Sequence, residues 1–227
     1  MRREGIRNRK NRQRQRGGAE VKKIAVFCSG SGSDFQSIID ANEKERFCQI
    51  ALMLASKEGI GAIERAKKHG IPFFVVPRSA FDVAEEMCRA IDKILTENEI
   101  DYIVLAGYLS ILTKEFTDRY RHRIINVHPS LIPSFCGKGY YGLNVHRAAI
   151  DYGVKLSGAT VHFVNGEPDG GEIIMQRAVE IEDNDTAETL QQKILKIEHE
   201  MLPKAVRLLV EGRLKVEGRR VKITEEL

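Results

Sequence analysis

Three side chains that together can move an acyl group stand at fixed spacings in this sequence. Asn126 and His128 lie two residues apart at the end of the apolar run Ile124-Ile125, and Asp169 begins an Asp-Gly-Gly motif about 40 residues later. Side chains at positions i and i+2 of an extended strand share one face. An amide and an imidazole can donate hydrogen bonds to the oxyanion that forms when an amine attacks an acyl carbon. A carboxylate can orient the imidazole and favour its charged form, or hold a water that removes the amine proton. The pattern therefore predicts transfer of an acyl group to an amine.

Other reaction types find little support in the sequence. It contains no Gly-x-Ser-x-Gly nucleophile motif, and Cys136 on a glycine-rich segment is weak support for a covalent intermediate. The cysteines are scattered without a Cys-x-x-Cys pair, which is typical of reduced cytosolic thiols and argues against a metal site. They are Cys28, Cys48, Cys88 and Cys136. Direct transfer is therefore favoured, although a lone histidine at a strand end is more often structural than catalytic.

The remaining histidines are weaker candidates. His162 lies in an alternating strand pattern, where it is either a core residue or lines the site opposite Asn126. We expect His146 to face a loop. We expect structural or surface positions for the others, which are His69, His122 and His199.

A glycine-rich turn, Ser29 to Asp34, follows the first apolar run and precedes a helical pattern. Such a turn aims backbone N–H groups and a helix N-terminus at an anion. Phe35 occupies the position of the third glycine in the dinucleotide fingerprint, and no Gly-Lys-Ser/Thr follows, so the turn suits one phosphate better than a pyrophosphate. A glycine-rich turn without any ligand remains the alternative.

Short apolar strands alternate with helical patterns along the chain. The predicted strands are Lys23–Cys28, Gln49–Ala55, Pro72–Val76, Asp101–Ala106, the run ending at His128, Ala159–Val164 and Glu172–Val179. The predicted helices begin near Ser33 and span Ile60–His69, Val83–Asn98, Thr113–Tyr120, Leu143–Tyr152 and Thr186–Glu211, the last with a break near Pro203. This order predicts an α/β fold, a Rossmann-like, doubly wound and mostly parallel sheet with helices on both faces. In such sheets ligands bind outside the carboxyl ends of the strands.

Charge and composition limit the classes of partner that the chain is expected to bind. The chain has 227 residues and a net charge of +4, but residues 1–20 carry eight Arg or Lys and two Glu, so the rest is slightly acidic. We expect a disordered basic extension over residues 1–20 and a single catalytic domain over 21–227. No nucleic-acid partner is expected from the acidic remainder. No apolar stretch predicts a membrane span or a signal peptide, so a cytoplasmic location is expected.

Taken together, three segments resemble the phosphoribosylglycinamide formyltransferases over about residues 22–222. They are Ile125-Asn-Val-His-Pro-Ser-Leu-Ile-Pro133, Gly158-Ala-Thr-Val-His-Phe-Val164 and Asp169-Gly-Gly171. The resemblance implies the formyltransferase fold, with glycinamide ribonucleotide and the co-substrate 10-formyltetrahydrofolate as small-molecule partners, no metal, and a monomer or homodimer. It implies that Asn126, His128 and Asp169 are catalytic.

The resemblance also assigns the two substrates to separate segments. Glycinamide ribonucleotide would contact Gly32, Ser33, Asp34 and Glu198. The folate would contact Leu109, Ser110, Ile111, Leu112, Asn126, Asn165, Gly166, Glu167, Pro168 and Asp169. Many members of that family carry asparagine at the position of Asp34, and the glycine-rich segment 134–141 is longer here than in the shortest members, which suits a lid over the folate.

Three alternatives remain open. A formyltetrahydrofolate hydrolase would use the same trio with water as the acceptor. A methionyl-tRNA formyltransferase would need a further C-terminal domain and a basic surface. A non-catalytic protein that binds a phosphorylated sugar would keep the glycine turn but would have no use for the trio.

Overall fold

The computed structural model describes residues 21–225 as nine strands and six α-helices. The strands are β1 (Lys23–Cys28), β2 (Gln49–Ala55), β3 (Phe73–Val75), β4 (Tyr102–Leu105), β5 (Ile124–His128), β6 (Leu156–Phe163), β7 (Ile173–Glu180), β8 (Leu214–Glu217) and β9 (Arg220–Ile223). The helices are α1 (Ser33–Glu45), α2 (Gly61–Lys68), α3 (Ala84–Glu97), α4 (Lys114–Arg119), α5 (Leu143–Tyr152) and α6 (Ala187–Val210), with a short 3-10 helix at Arg78–Ala80. The basic extension predicted for residues 1–20 lies outside the described residues.

All nine strands form one sheet in the order β3-β2-β1-β4-β5-β6-β7-β9-β8. Strands β3, β2, β1, β4 and β5 run parallel, while β6 runs antiparallel to both β5 and β7. The chain crosses from β1 to β2 on one side and later returns to β4 on the other. This reversal beside β1 opens a crevice at the carboxyl ends of β1 and β4, as in other doubly wound sheets. The predicted fold class is confirmed.

Alternate residues of β1 enter two hydrophobic cores, one on each face of the sheet. Ile24 and Val26 pack in a core shared with α1, α2 and α6, whereas Ala25 and Phe27 pack in a second core shared with α3 and α4. All four side chains are fully buried. A strand buried on both faces is held in register from both sides, so the residues that follow its end are positioned rigidly.

Helix α6 contradicts the predicted break near Pro203, because it runs unbroken from Ala187 to Val210 with Pro203 inside it. A proline removes one backbone hydrogen bond from a helix. Buried side chains on both sides of Pro203, including Leu202 and Val206, pack against the core and hold the two halves in line. This continuity keeps Glu198 fixed relative to α1, against which α6 packs.

The hairpin β8–β9 was not predicted. It joins the sheet through one parallel pairing, Ile173 with Arg220, and extends it by two strands. Within residues 21–225, no helix is both long enough and apolar enough to cross a bilayer.

Candidate active site

A cavity of about 1040 Å³ opens at the carboxyl ends of β1, β4 and β5. Its walls come from five parts of the chain that are distant in sequence. They are the turn 29–34, the segment 105–112, the end of β5 with residues 126–129, the loop 137–142, and the segment 164–169, with Glu198 of α6 at one side. The cavity is large enough for two small-molecule ligands side by side.

Asn126 and His128 enter this cavity from the end of β5, as the spacing predicts. The β5–β6 register places His162 opposite Asn126. The Asn126 amide Nδ2 lies 3.1 Å from His162 Nε2, and the other ring nitrogen, Nδ1, lies 2.6 Å from the Phe163 carbonyl oxygen. Because a carbonyl can only accept, Nδ1 donates to it and Nε2 is free to accept from Asn126. His162 therefore orients the Asn126 amide, and its predicted place across from Asn126 is observed.

Asp169 lies between the two histidines. Its Oδ2 is 3.5 Å from His128 Nδ1, and its Oδ1 is 3.6 Å from His162 Nε2. The Gly137 N–H donates to Asp169 Oδ2 over 2.7 Å. One carboxylate thus connects β5, β6 and the glycine-rich loop, and the trio predicted from the sequence lies together.

A tight turn carries Asp169 to this position. Asp169 itself has a φ of 54°, in the left-handed region that few non-glycine residues adopt. A Cβ on Gly171 would stand 1.7 Å from the Phe163 carbonyl oxygen, so only glycine fits where the turn rejoins the end of β6. The Asp-Gly-Gly motif therefore positions the carboxylate through its glycines.

Burial and nearby charges shift the pKa values of His128 and Asp169 in opposite directions. Burial lowers the pKa of His128, and this outweighs the nearby Asp169 carboxylate and the Phe135 carbonyl, which raise it. Burial by itself raises the pKa of Asp169, but the nearby His162 ring, the His128 charge and the Gly137 N–H together hold that pKa below its ordinary value. As expected, Asp169 favours the charged form of the His128 imidazole. The effect of burial is larger, so the pKa of His128 is lowered.

The glycine-rich turn leaves the start of α1 open toward the cavity. Gly32 caps the helix with a φ of 73°, and no side chain caps the first turn. A Cβ at Gly32 would stand 2.8 Å from Ala62 Cβ, so α2 packs too closely to allow another residue. The first N–H groups of α1, which include those of Ser33 and Asp34, are thus placed to bind an anion.

The segments predicted for the folate line the same cavity, and residues 109–112 give it an apolar wall. Leu109 and Ile111 are 59% and 69% exposed, while Leu112 is buried. The Leu109 N–H donates to Ser29 Oγ, which ties this segment to the end of β1. Across the cavity, Asn165 Oδ1 accepts from the Glu167 N–H and shapes the turn before Asp169. Exposed apolar side chains beside backbone amides suit a flat heterocycle that carries its own hydrogen-bonding groups.

Three further residues at the cavity were not assigned to the site by the sequence analysis. His146 is 2% exposed and lines the cavity together with loop residues 137–142, so it lies on the side of the loop, as expected. Burial lowers the pKa of His146 to about 4. His146 shares the buried face of α5 with Val145 and Ala149, and that spacing was the available signal. Lys138, on the loop, and Gln191, on α6, also line the cavity.

Neither a thiol nucleophile nor a metal cluster is present at the site. Cys136 Sγ donates to the Pro133 carbonyl oxygen over 3.3 Å, and burial raises the pKa of its thiol, so it is not activated as a thiolate. Among residues 21–225, no three His, Cys, Asp or Glu side chains are grouped as metal ligands.

Comparison with known proteins gives one consistent result. A family model described as formyl transferase matches residues 22–206. The chloroplastic phosphoribosylglycinamide formyltransferase of Vigna unguiculata is 40% identical over 196 residues, which are 85% of this chain and 62% of that protein, so the chain spans less than two thirds of that relative.

Two solved structures extend the comparison. Glycinamide ribonucleotide transformylase 1 of Symbiobacterium toebii superposes with a TM-score of 0.85 at 36% identity, covering 90% of this chain and 95% of that one. A formyltetrahydrofolate deformylase of Pseudomonas syringae superposes with a TM-score of 0.82 at 26% identity, covering 91% of this chain and 67% of that one.

Proposed function

The chain belongs to the formyl transferase family, and on this basis we propose that it transfers the formyl group of 10-formyltetrahydrofolate to the amino group of glycinamide ribonucleotide. The products are formylglycinamide ribonucleotide and tetrahydrofolate, and the reaction is a step of de novo purine synthesis. One observation carries the proposal. The trio Asn126, His128 and Asp169 shares a single cavity with an open helix start suited to a phosphate.

The acceptor occupies the end of the cavity at the glycine-rich turn. The N–H groups of Gly32, Ser33 and Asp34 bind its phosphate, as anions are bound at other helix N-termini. Glu198, buried on α6 at the same end, accepts hydrogen bonds from the ribose hydroxyls. The glycine amine then points toward the end of β5.

The folate occupies the apolar end. Its pterin ring lies between Leu109–Leu112 and Asn165–Asp169, where backbone groups hydrogen-bond its ring edge and Asn126 reaches its formyl end. The loop 134–142 closes over it, as glycine-rich loops do in other enzymes. Its Gly137 and Gly139 adopt φ values of 85° and 94°, which glycine reaches without strain. The N–H of Gly137 already binds Asp169, so the lid and the catalytic carboxylate are connected.

Transfer proceeds by direct attack. The amine lone pair forms a C–N bond with the formyl carbon, and the carbonyl oxygen becomes an oxyanion that accepts hydrogen bonds from Asn126 and from His128 Nε2, which gives up its contact with the Phe135 carbonyl oxygen, 2.9 Å away in this structure. Asp169 orients His128 and, through a bound water, accepts the proton that the amine loses. The bond between the formyl carbon and N10 of the folate then breaks, the carbonyl re-forms, and N10 takes up the proton that the amine lost, returned through the water at Asp169.

The test is the release of tetrahydrofolate by the purified protein, with and without glycinamide ribonucleotide. We expect release only when the acceptor is present, with formylglycinamide ribonucleotide formed in equal amount. The His128→Asn variant should lose this activity, whereas His69→Asn, which changes a histidine paired with Glu43 away from the cavity, should keep it.

Two other outcomes identify the alternatives. Equal release of formate and tetrahydrofolate without the acceptor would favour a hydrolase, the reaction of the deformylase relative. Binding of the acceptor without any turnover would favour a non-catalytic binding protein. The expected cytoplasmic location, the absence of a nucleic-acid partner and the monomer or homodimer stay predictions.

A further inference from the structure

Two carboxyl groups lie at the acceptor end of the cavity, and one of them, Asp34, lacks the hydrogen-bond donor that a buried carboxylate needs. The side chain of Asp34 is 14% exposed, and its Oδ1 is fully buried without a hydrogen bond. Glu198 is 7% exposed. Both side chains line the cavity where the phosphate is proposed to bind. A buried carboxylate without a donor is costly, so Asp34 requires a proton or a ligand.

The neighbours of Asp34 do not supply a cation that binds it. From α6 it faces Glu198 and His199, and His199 Nε2 lies 3.7 Å from Asp34 Oδ1, too far for a hydrogen bond. From β1 it faces the Cys28 thiol, which is buried. The His199 Nε2 atom is itself buried and without a partner.

The charged groups around His199 are engaged elsewhere. Arg65 of α2 donates through Nε to the Ser31 carbonyl oxygen over 2.9 Å and through Nη1 to Gln36 Oε1 over 3.0 Å. Asp40 of α1 accepts from Gln36 Nε2 over 2.8 Å. Burial lowers the pKa of His199, the charge of Arg65 lowers it further, and the charge of Asp40 raises it. The histidine is therefore a poor source of positive charge for Asp34 at neutral pH.

Burial raises the pKa of Asp34 to about 6. Burial, and then the charge of Asp34, raise the pKa of Glu198 well above its ordinary value. The charge of Asp34 disfavours ionisation of Glu198, so the two groups titrate as a pair, and Glu198 keeps its proton to a higher pH than an isolated glutamate does. A phosphate dianion at the turn adds two negative charges beside the member that is still ionised.

We propose that the Asp34–Glu198 pair takes up one proton from solvent when the phosphorylated acceptor binds, so that acceptor binding is coupled to protonation of Asp34. The proposal rests on the proposed function for the identity of the acceptor. In the bound state the proton ends the repulsion between the carboxylate and the phosphate. It also turns the Asp34 carboxyl into an O–H donor, the kind of group that a phosphate oxygen accepts.

Isothermal titration of glycinamide ribonucleotide in two buffers of different ionisation enthalpy measures the proton uptake directly. At about pH 7.5 the native protein should take up roughly half to one proton per acceptor. The Asp34→Asn variant, a neutral isostere, should take up close to none, which also corrects for the second ionisation of the phosphate itself, near pH 6. Between about pH 7 and 9 the Kd of the native protein should rise toward tenfold per pH unit, against less than about twofold in the variant.

Binding by the native protein without proton uptake would overturn the inference, as would equal uptake by both proteins. If the proposed acceptor is the wrong ligand, the result looks different, because neither protein would then bind it at any pH from about 6 to 9. Titration of inorganic phosphate into both proteins then tests for proton uptake by the Asp34–Glu198 pair without the proposed acceptor. Uptake by the native protein alone supports the inference, and equal uptake by both proteins contradicts it.

Discussion

Replacing Asp34 by asparagine should make the ligand-free protein more stable at neutral pH. The Asp34 pKa rises from 3.8 to about 6 on folding because the carboxylate is buried without a donor. A group whose pKa is raised by folding binds more protons in the native state than in the unfolded state. Stability therefore falls as the pH rises from about 4 to about 6, and the full penalty remains above that range.

The magnitude follows from the size of the shift. Each pKa unit is about 1.4 kcal/mol, so a shift of about two units costs the native protein about 3 kcal/mol above pH 6. Asparagine removes this cost but also loses the attraction between a carboxylate and the N-terminus of α1, about 0.3–1 kcal/mol. A net gain of about 2 kcal/mol is expected, which corresponds to an increase in Tm of about 4–8 °C for a chain of this size.

Urea unfolding of both proteins across about pH 4 to 8 measures the free energy of unfolding for each. The difference between them should be small near pH 4 and should grow to about 2 kcal/mol by pH 7. The Asp40→Asn variant is the matched control, because Asp40 is an exposed acidic residue on the same helix. A difference between native and Asp34→Asn that is independent of pH would refute the reasoning, since a buried unpaired carboxylate cannot produce it.

Three further predictions concern the trio, its turn and the basic extension. Asp169→Asn should reduce kcat by about 10²–10⁴ without loss of Tm, because the orientation of His128 and the path for the amine proton are both lost. Near-native kcat in this variant would disprove the catalytic role of Asp169. Gly171→Ala should unfold or strongly destabilise the protein, because its Cβ would stand 1.7 Å from the Phe163 carbonyl oxygen, whereas Gly30→Ala has open space and should leave Tm unchanged; equal Tm values for the two variants would contradict this. Removal of residues 1–20 should leave kcat unchanged in the formyl-transfer assay, and a large loss would assign the extension a catalytic role.

The parts of the fold that the sequence predicted are those in which one local pattern decides the structure. The strands β1, β2 and β4 are continuous apolar runs, as expected for strands buried on both faces. The β8–β9 hairpin was missed because its four-residue strands alternate polar and apolar side chains on a half-exposed edge, a weak pattern. The unbroken α6 was mispredicted because burial along the whole helix outweighs the local effect of Pro203.

The same distinction holds for the candidate site: a local sequence pattern predicted some of its features, and tertiary packing determines the others. The spacing of Asn126 and His128 fixed their common face, since side chains of a strand alternate with a period of two. The approach of Asp169 depends on a left-handed φ and on the absence of a Cβ at Gly171, which no hydrophobic pattern reports. The unpaired state of Asp34 is also invisible in the sequence, because it results from what α6 and β1 place around it.

The two edge strands of the sheet affect whether copies of the protein associate in concentrated solution. One edge strand, β3, has only three residues. The other, β8, carries Lys215 and Glu217, whose side chains pair at 3.0 Å. Short edge strands and charged edge side chains both discourage the addition of a strand from another molecule. The described part of the chain is therefore protected against edge-to-edge aggregation, and a homodimer would have to assemble through helices or loops instead of by continuing the sheet.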